Sequence, residues 1–345
     1  DVTGSPTVLF YKDGELVGDR LTGGIKRSDL MRNLDALVDE RRAVEIHEAV
    51  KPVLTETDVV VLGGGPAGLT AGIYLAQAYI DTIVVDTALP GGYVTTTHQV
   101  SNYPGFIEPQ NGFMLSHYMS EQAKENGVKF RPAVEVTDVD LESKTVLLDG
   151  FETIKAKRII VATGSRPRPL GIPGEKEFGG LGISYCATCD GKYYEGKEIV
   201  VIGGGNSAIE ETLFLARFAK SITIIHQFDE LQANKAAQEK ILAEDKVTFH
   251  FSHEPREFKK YGTMDMGVVV ENLKTGEFSE LKTEGIFVFV GFIPNLETLG
   301  DSFERDQWGY LKADDDMRTN IEGVYAIGDV KTKTYRQITT AVADG

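Results

Sequence analysis

The stretch DVVVLGGGPAGLTAGIYLAQAYIDTIVVD, residues 58–86, decides the fold. Residues 59–62, VVVL, read as a short buried strand. Gly63, Gly64, Gly65, Pro66, Ala67 and Gly68 follow, a run in which the backbone can turn sharply and approach a ligand closely. An amphipathic helix to about Ala78 and a second strand ending at Asp86 complete a βαβ unit. The pattern returns in IVVIGGGNSAIEETLFLARFAKSITIIH, residues 199–226, with the turn Gly203, Gly204, Gly205, Asn206, Ser207, Ala208. Two copies in matching contexts predict an α/β chain with two Rossmann-like, three-layer ββα dinucleotide-binding domains.

In such a unit the helix N-terminus presents free N–H groups and a partial positive charge to a pyrophosphate. An acidic residue roughly 20 positions on can bond a ribose hydroxyl. Asp86 fills that place in the first copy; His226, in the second, cannot act as that carboxylate.

Bulk properties narrow the function. With 345 residues, 41% hydrophobic and 26% charged, the chain has room for two or three ordinary globular domains. A net charge of −16 argues against nucleic acid as a partner. No apolar run is long enough to predict a membrane span. Only two cysteines occur, four positions apart counted inclusively as C-x-x-C, so a disulfide-rich scaffold is not expected and a cytoplasmic location is. The chain opens without Met in a mid-domain pattern and closes inside a helical one, which reads as a piece of a longer protein.

Cys186 and Cys189 admit three readings. Zinc would need two further Cys or His ligands close by, and no second pair exists; no metal site is expected. Two inert buried thiols need not share this spacing. A redox dithiol suits it, because C-x-x-C can close a small disulfide ring and lower one thiol's pKa. Asp190 could exchange protons with the leaving thiolate or simply begin the turn at Gly191. The pair precedes the second dinucleotide strand and therefore belongs to the second nucleotide domain.

From about residue 57 onward these motifs resemble the low-molecular-weight thioredoxin reductases, a family of flavin disulfide reductases. The resemblance implies an FAD domain in two pieces, residues 57–166 and 291–345, with a pyridine-nucleotide domain, 167–290, inserted between them. It implies FAD contacts from Gly63, Gly65, Pro66, Ala67, Gly68, Asp86, Thr87, Gly91, Gly92, Val94 and Asn102. Further contacts would come from Ala162, Thr163 and Gly164, from Gly328 and Asp329 of the G-V-x-A-x-G-D segment, and from Arg336, Gln337 and Ile338. Nicotinamide nucleotide contacts would come from Gly203, Gly205, Asn206, Ser207, Ala208 and Glu211, and from His226, Gln227 and Gln232. Cys189 would face the flavin, Cys186 would attack the substrate disulfide, and Asp190 would be the general acid. A thioredoxin or thioredoxin-like protein would be the partner, and the enzyme a homodimer.

Residues 1–40 resemble the second half of a thioredoxin fold, with Ser5, Pro6 and Thr7 at its cis-proline loop; residues 41–56 read as a linker. In this part, residues 25–38 predict a helix with Leu30, Leu34 and Leu37 on one face. Two departures from the family stand out. Tyr93 replaces a Gln beside the flavin, and the arginines of H-R-R-x-x-x-R are absent from residues 226–232, HQFDELQ. Since a 2′-phosphate calls for cationic partners, NADH is favoured over NADPH. Three alternatives are a flavoprotein component like that of alkyl hydroperoxide reductase, a ferredoxin-driven or dithiol-oxidase member, and a non-enzymatic redox-responsive module.

Overall fold

A computed structural model describes residues 7–22, 25, 27–96, 100, 102–263 and 265–345; side chains of Thr7, Thr22, His47, Thr96, Thr188 and Cys189 are outside the description. Two compact units emerge. One comprises Asp1–Thr95, Asn102–Ser165 and Pro294–Gly345, the other Thr96–Ser101 and Arg166–Ile293. The chain passes between them at Ser165–Pro167 and Phe292–Pro294, strands that pair with each other.

The first unit carries a sheet in the order Lys129–Arg131, Thr82–Val85, Val53–Leu62, Glu152–Val161, Thr145–Leu148, Val136–Asp140. Val324–Ala326 adds to Glu152–Val161 in parallel. Alternate residues along the central strands serve two cores, as a pleated strand covered on both faces must. Val60, Leu62, Ile83, Val85 and Val161 pack on one side. Val59, Val61 and Val84 meet Leu69 and Ile73 of the helix Pro66–Gln77 on the other.

The second unit repeats the plan. Its parallel sheet runs Ile183–Ser184, Gly285–Val288, Glu198–Ile202, Ser221–His226, Val247–Phe251. Ile199, Val201, Ile222 and Ile224 pack against Ile209 and Leu215 of the helix Asn206–Leu215. Val200, Ile202 and Ile225 face Phe258, Met266 and Val268. The last three come from an antiparallel sheet, His253–Lys260, Met266–Asn272, Phe278–Thr283, that supplies the third layer. In each unit the glycine turn leaves the sheet at one matching place. Leu62 lies between Val85 and Val161, and Ile202 between Ile225 and Val288.

The N-terminal part differs from expectation in the buried face of its helix. Thr7–Lys12 and Glu15–Thr22 form an antiparallel hairpin, and the helix after it is Arg27–Asp35. Its buried residue is Asn33, while Leu34 is exposed. Asn33 Oδ1 accepts from the Asp19 N–H, and its Nδ2 donates to Asp29 O at 2.8 Å. A polar anchor to the hairpin thus replaces the expected leucine face. In residues 41–56, read as a linker, the helix-prone stretch forms the helix Glu40–Ala49, and Val53 already pairs with Glu152. Mixed polar residues at 53–58 hid that strand extension from a reading based on apolar runs. The expected loop at Ser5 and Pro6 falls outside the described residues. Among the described residues, no helix is long and apolar enough to cross a membrane.

Candidate nucleotide and dithiol sites

The first turn can be built only with glycine at key points. Gly63 has φ +108, and a Cβ there would lie 2.3 Å from Ala162 O. A Cβ on Gly68 would lie 2.0 Å from Gly63 O. Gly65 caps the helix without any side-chain bond, and Pro66 opens it, with Ala67 buried in the first turn. By contrast, Asn111 and Asn234 cap their helices by accepting from backbone N–H groups. The glycine cap therefore leaves helix N–H groups for a ligand. Asp86 Oδ2 accepts from Gly64 N–H at 2.7 Å and Oδ1 from Ala88 N–H at 2.8 Å. Burial pushes the Asp86 carboxyl up, and these two bonds oppose it.

Other predicted residues of this unit gather around the turn. Thr87 is exposed beside Asp86, and Val94 lies in the short helix Gly92–Thr96. Gly91 N–H donates to Gly64 O at 2.7 Å, and a Cβ on Gly92 would lie 2.9 Å from Gly65 Cα. A Cβ on Gly328, at φ +72, would come equally close to Ala67 Cβ. Asn102 Nδ2 donates to Gln337 Oε1 at 2.9 Å. Gln337 caps the helix Ile338–Asp344, and the Arg336 guanidinium stacks 3.8 Å from the Tyr310 ring centroid. Thr163 Oγ1 donates to Asn295 O at 2.7 Å, and Asn295 N–H to Gly164 O at 3.0 Å.

The second turn repeats the first with other residues at its edges. Gly203, at φ +128, would place a Cβ 2.3 Å from Phe289 O, and Gly205 caps the helix, again without a side-chain bond. Asn206 and Ser207 are exposed, and Ala208 is buried. Asn206 Oδ1 accepts from Asn234 N–H at 2.7 Å. The His226 ring lies under Gly204, 2.6 Å from where a Cβ would be, and meets Phe228 edge-on. Burial lowers the His226 pKa. Gln227 and Gln232 are exposed, and Gln232 N–H donates to Gly204 O at 2.8 Å. Glu211, in the second turn of the helix, is pushed up to about 7 by burial and by the Glu210 charge.

Cys186 follows the edge strand Ile183–Ser184 on this same unit and is disulfide-bonded. Its N–H donates to Ser184 Oγ at 3.1 Å, and its carbonyl accepts from Asp190 N–H at 3.2 Å. Asp190 ends the four-residue helix Ala187–Asp190, half-buried. The Cys189 side chain lies outside the described residues. Sequence reading missed Glu175, a buried carboxylate that accepts from Leu170 N–H, Gly171 N–H and Tyr185 OH at 2.9, 2.6 and 2.7 Å. It anchors the residue immediately before Cys186.

Buried polar side chains almost always find partners. Among the described residues, five such atoms have none: Glu211 Oε2, His226 Nε2, Arg305 Nε, Asp329 Oδ1 and Arg336 Nε. All but Arg305 are residues that the sequence assigned to cofactor contacts. Asp329 and Arg336 present an acceptor and a donor in the first unit, matching the hydroxyls and carbonyls of a flavin nucleotide. Glu211 and His226 do so beside the second turn. The donor set therefore fits two nucleotide cofactors.

Comparison with known proteins agrees. The pattern of the pyridine nucleotide-disulphide oxidoreductase family matches residues 57–345. Thioredoxin reductase of Peptoclostridium acidaminophilum is 43% identical over 295 residues, covering 84% of this chain and 93% of its own. That of Bacillus subtilis is 40% identical over 291 residues, covering 84% and 91%. The crystal structure of Lactococcus lactis thioredoxin reductase, 42% identical, matches with a TM-score of 0.73 over 84% of this chain and 95% of that one. The chain belongs to the pyridine nucleotide-disulphide oxidoreductase family, among its thioredoxin reductases.

Proposed function

We propose that this chain is an FAD-dependent disulfide reductase that passes electrons from a nicotinamide nucleotide, through FAD and the dithiol of Cys186 and Cys189, to a thioredoxin or thioredoxin-like protein. The observation that carries it is a disulfide-bonded Cys186 on the same compact unit as the second glycine turn. FAD would lie on the turn at residues 63–68, its pyrophosphate at the helix Pro66–Gln77, with Asp86 toward a ribose. Asp329 would accept from a ribityl hydroxyl, and Arg336, Gln337 and Ile338 would border the flavin ring. The domain reading follows: FAD-binding pieces at 57–166 and 291–345, with the nucleotide and dithiol domain at 167–290.

When bound, FAD supplies the two-electron chemistry. The chain's part is to bind, orient and move protons. Reduction of the Cys186 disulfide releases a thiolate that needs a proton, and Asp190, four residues on, is the group we assign to it. The Cys186 thiolate would then attack a partner disulfide, forming one mixed disulfide bond as the partner's own breaks.

NADH is the donor we assign. The 2′-phosphate of NADPH needs cations, and residues 226–232 hold none. Arg217, the nearest arginine in sequence, stacks on Phe214 and Phe218 beyond the C-terminal end of Asn206–Leu215. That is ~15 Å from the end a nucleotide would use. Exposed Phe113, Met114 and Tyr118 on the helix Gly112–Glu125 support a homodimer. The hairpin and helix that precede the family match favour a second reading, delivery through an N-terminal thioredoxin-like domain to a peroxidase partner.

The test is direct. Purified protein should be yellow, with one FAD per chain, and reduce thioredoxin. Cys186→Ser and Cys189→Ser should each abolish that turnover yet keep the flavin. Disulfide reduction persisting in either variant would sink the electron path.

A further inference from the structure

The turn that carries Asp329 is backed by a chain of buried charges. Gly328 N–H donates to Asp344 Oδ2 at 2.9 Å, and Lys333 Nζ donates to the same oxygen at 2.6 Å. Lys331 Nζ lies 3.8 Å from Asp344 Oδ1 and 2.9 Å from Met317 Sδ. Lys333 Nζ also lies 4.0 Å from Asp329 Oδ1, the oxygen without a hydrogen-bond partner. The side chains of Lys331, Lys333 and Asp344 are only 11%, 9% and 11% exposed.

Lysines this buried are costly unless their charge is met. Here the signs alternate, Asp329, Lys333, Asp344, Lys331, so each ammonium touches a carboxylate. The arrangement also has a direction. Asp344 fixes the backbone of the turn through Gly328, while Lys333 lies close enough to Asp329 to favour its ionised form but leaves Oδ1 open. Burial raises the Asp329 pKa, Lys333 and then Arg336 oppose that rise, and Asp344 adds to it. Without Lys333, burial would act on Asp329 with Arg336 alone in opposition.

We propose that Lys333 and Asp344 are positioning residues for the flavin nucleotide, Asp344 by pinning Gly328 and Lys333 by keeping Asp329 an open, ionised acceptor for a ribityl hydroxyl. This rests on the FAD reading above. The test uses apoprotein of the full chain, titrated with FAD from about pH 5 to 9. Flavin fluorescence gives the dissociation constant, and circular dichroism checks the fold.

Wild-type affinity should fall only at the acid end, as Asp329 gains a proton. Lys333→Met should weaken binding at neutral pH by about tenfold or more, the loss of one charge-assisted contact, and move the acid limb to higher pH. Lys333→Arg, which keeps the charge, should hold the limb in place. Asp344→Asn should weaken binding at every pH. A Lys333→Met protein with wild-type affinity and an unmoved limb would overturn the proposal. Should that variant not fold, Asp329→Asn decides: losing the acid limb supports the proposal, and keeping it overturns it. Wild-type apoprotein that binds no FAD at any pH would overturn the FAD reading itself, and this inference with it.

Discussion

The turns at residues 63–68 and 203–208 share a backbone and differ in what stands at their edges. Gly63 N–H donates to Val85 O at 2.8 Å, and Gly203 N–H to Ile225 O at 2.9 Å. Each would drive a Cβ to 2.3 Å from a neighbouring carbonyl. The third small residue differs: Gly68 lies against Gly63 O, whereas Ala208 keeps its methyl. So does the end of the second strand. Asp86 binds the first turn through Gly64 N–H, and His226 slides a neutral-leaning ring under Gly204. The shared scaffold is the part we assign to a pyrophosphate, and the edge residues are the part we assign to the choice of nucleotide.

The largest effects should come from breaking each turn separately. Gly63→Ala forces a left-handed φ on alanine, about 1–3 kcal/mol of strain before the clash with Ala162 O. It should yield folded but colourless protein. Gly203→Ala should stay yellow and lose flavin reduction by NADH or NADPH in an anaerobic titration. If either variant shows the other's defect, the two turns are not the separate sites assigned to them.

Next comes nucleotide choice. Wild type should give kcat/KM for NADH at least equal to that for NADPH. Gln227→Arg and Gln232→Arg together should raise kcat/KM for NADPH by about 10–100-fold, one or two charge-assisted bonds. NADH values should barely move. An unchanged ratio would mean that the ribose lies away from this segment.

A smaller effect is expected from pH. Glu211 has an ordinary pKa of 4.5, raised to about 7 in the fold. A proton held more tightly by the folded chain stabilises it below the unfolded pKa, and that stabilisation is lost as pH rises through the folded one. Stability of the nucleotide-free protein should therefore decline between about pH 4.5 and 7. Glu211→Gln should remove this decline and gain about 2 kcal/mol at pH 8. Denaturant melts at several pH values check it; parallel slopes for both proteins would show that Glu211 ionises freely.

What the sequence made legible follows from range. The strands at 59–62 and 199–202, the glycine turns and the dithiol are patterns within a few residues, and such spacing states its own chemistry. Asn295 and Thr163 bond across 132 positions, so neither residue signals the other. Glu175 reads as an ordinary surface glutamate of an acidic chain until Leu170, Gly171 and Tyr185 close over it. Asn33 reads as a polar gap in a leucine pattern, yet it is the residue that the hairpin buries.

The smallest effect concerns Asp229, in the segment that follows the strand Ser221–His226. Its carboxylate accepts from Lys274 Nζ at 2.7 Å and from Ser252 Oγ, and these contacts hold its pKa down. The negative charge in residues 226–232 is thus partly matched, and Lys274 is committed to matching it. Both side chains are about two-thirds exposed, at 64% and 68%, so the pair contributes little to stability. Asp229→Asn should leave the melting temperature nearly unchanged but free the Lys274 ammonium beside residues 226–232, the segment we assign to the ribose end. A single solvated cation recovers only part of what a bidentate arginine gives. We expect NADPH kcat/KM to rise about threefold, with NADH unaffected. The gain should shrink as ionic strength rises, because exposed charges are screened within about 10 Å at 0.1 M salt. A gain that survives high salt would have to come from loop rearrangement instead, and Asp229→Asn combined with Lys274→Met separates the two, since only the electrostatic route loses its gain when the lysine is removed.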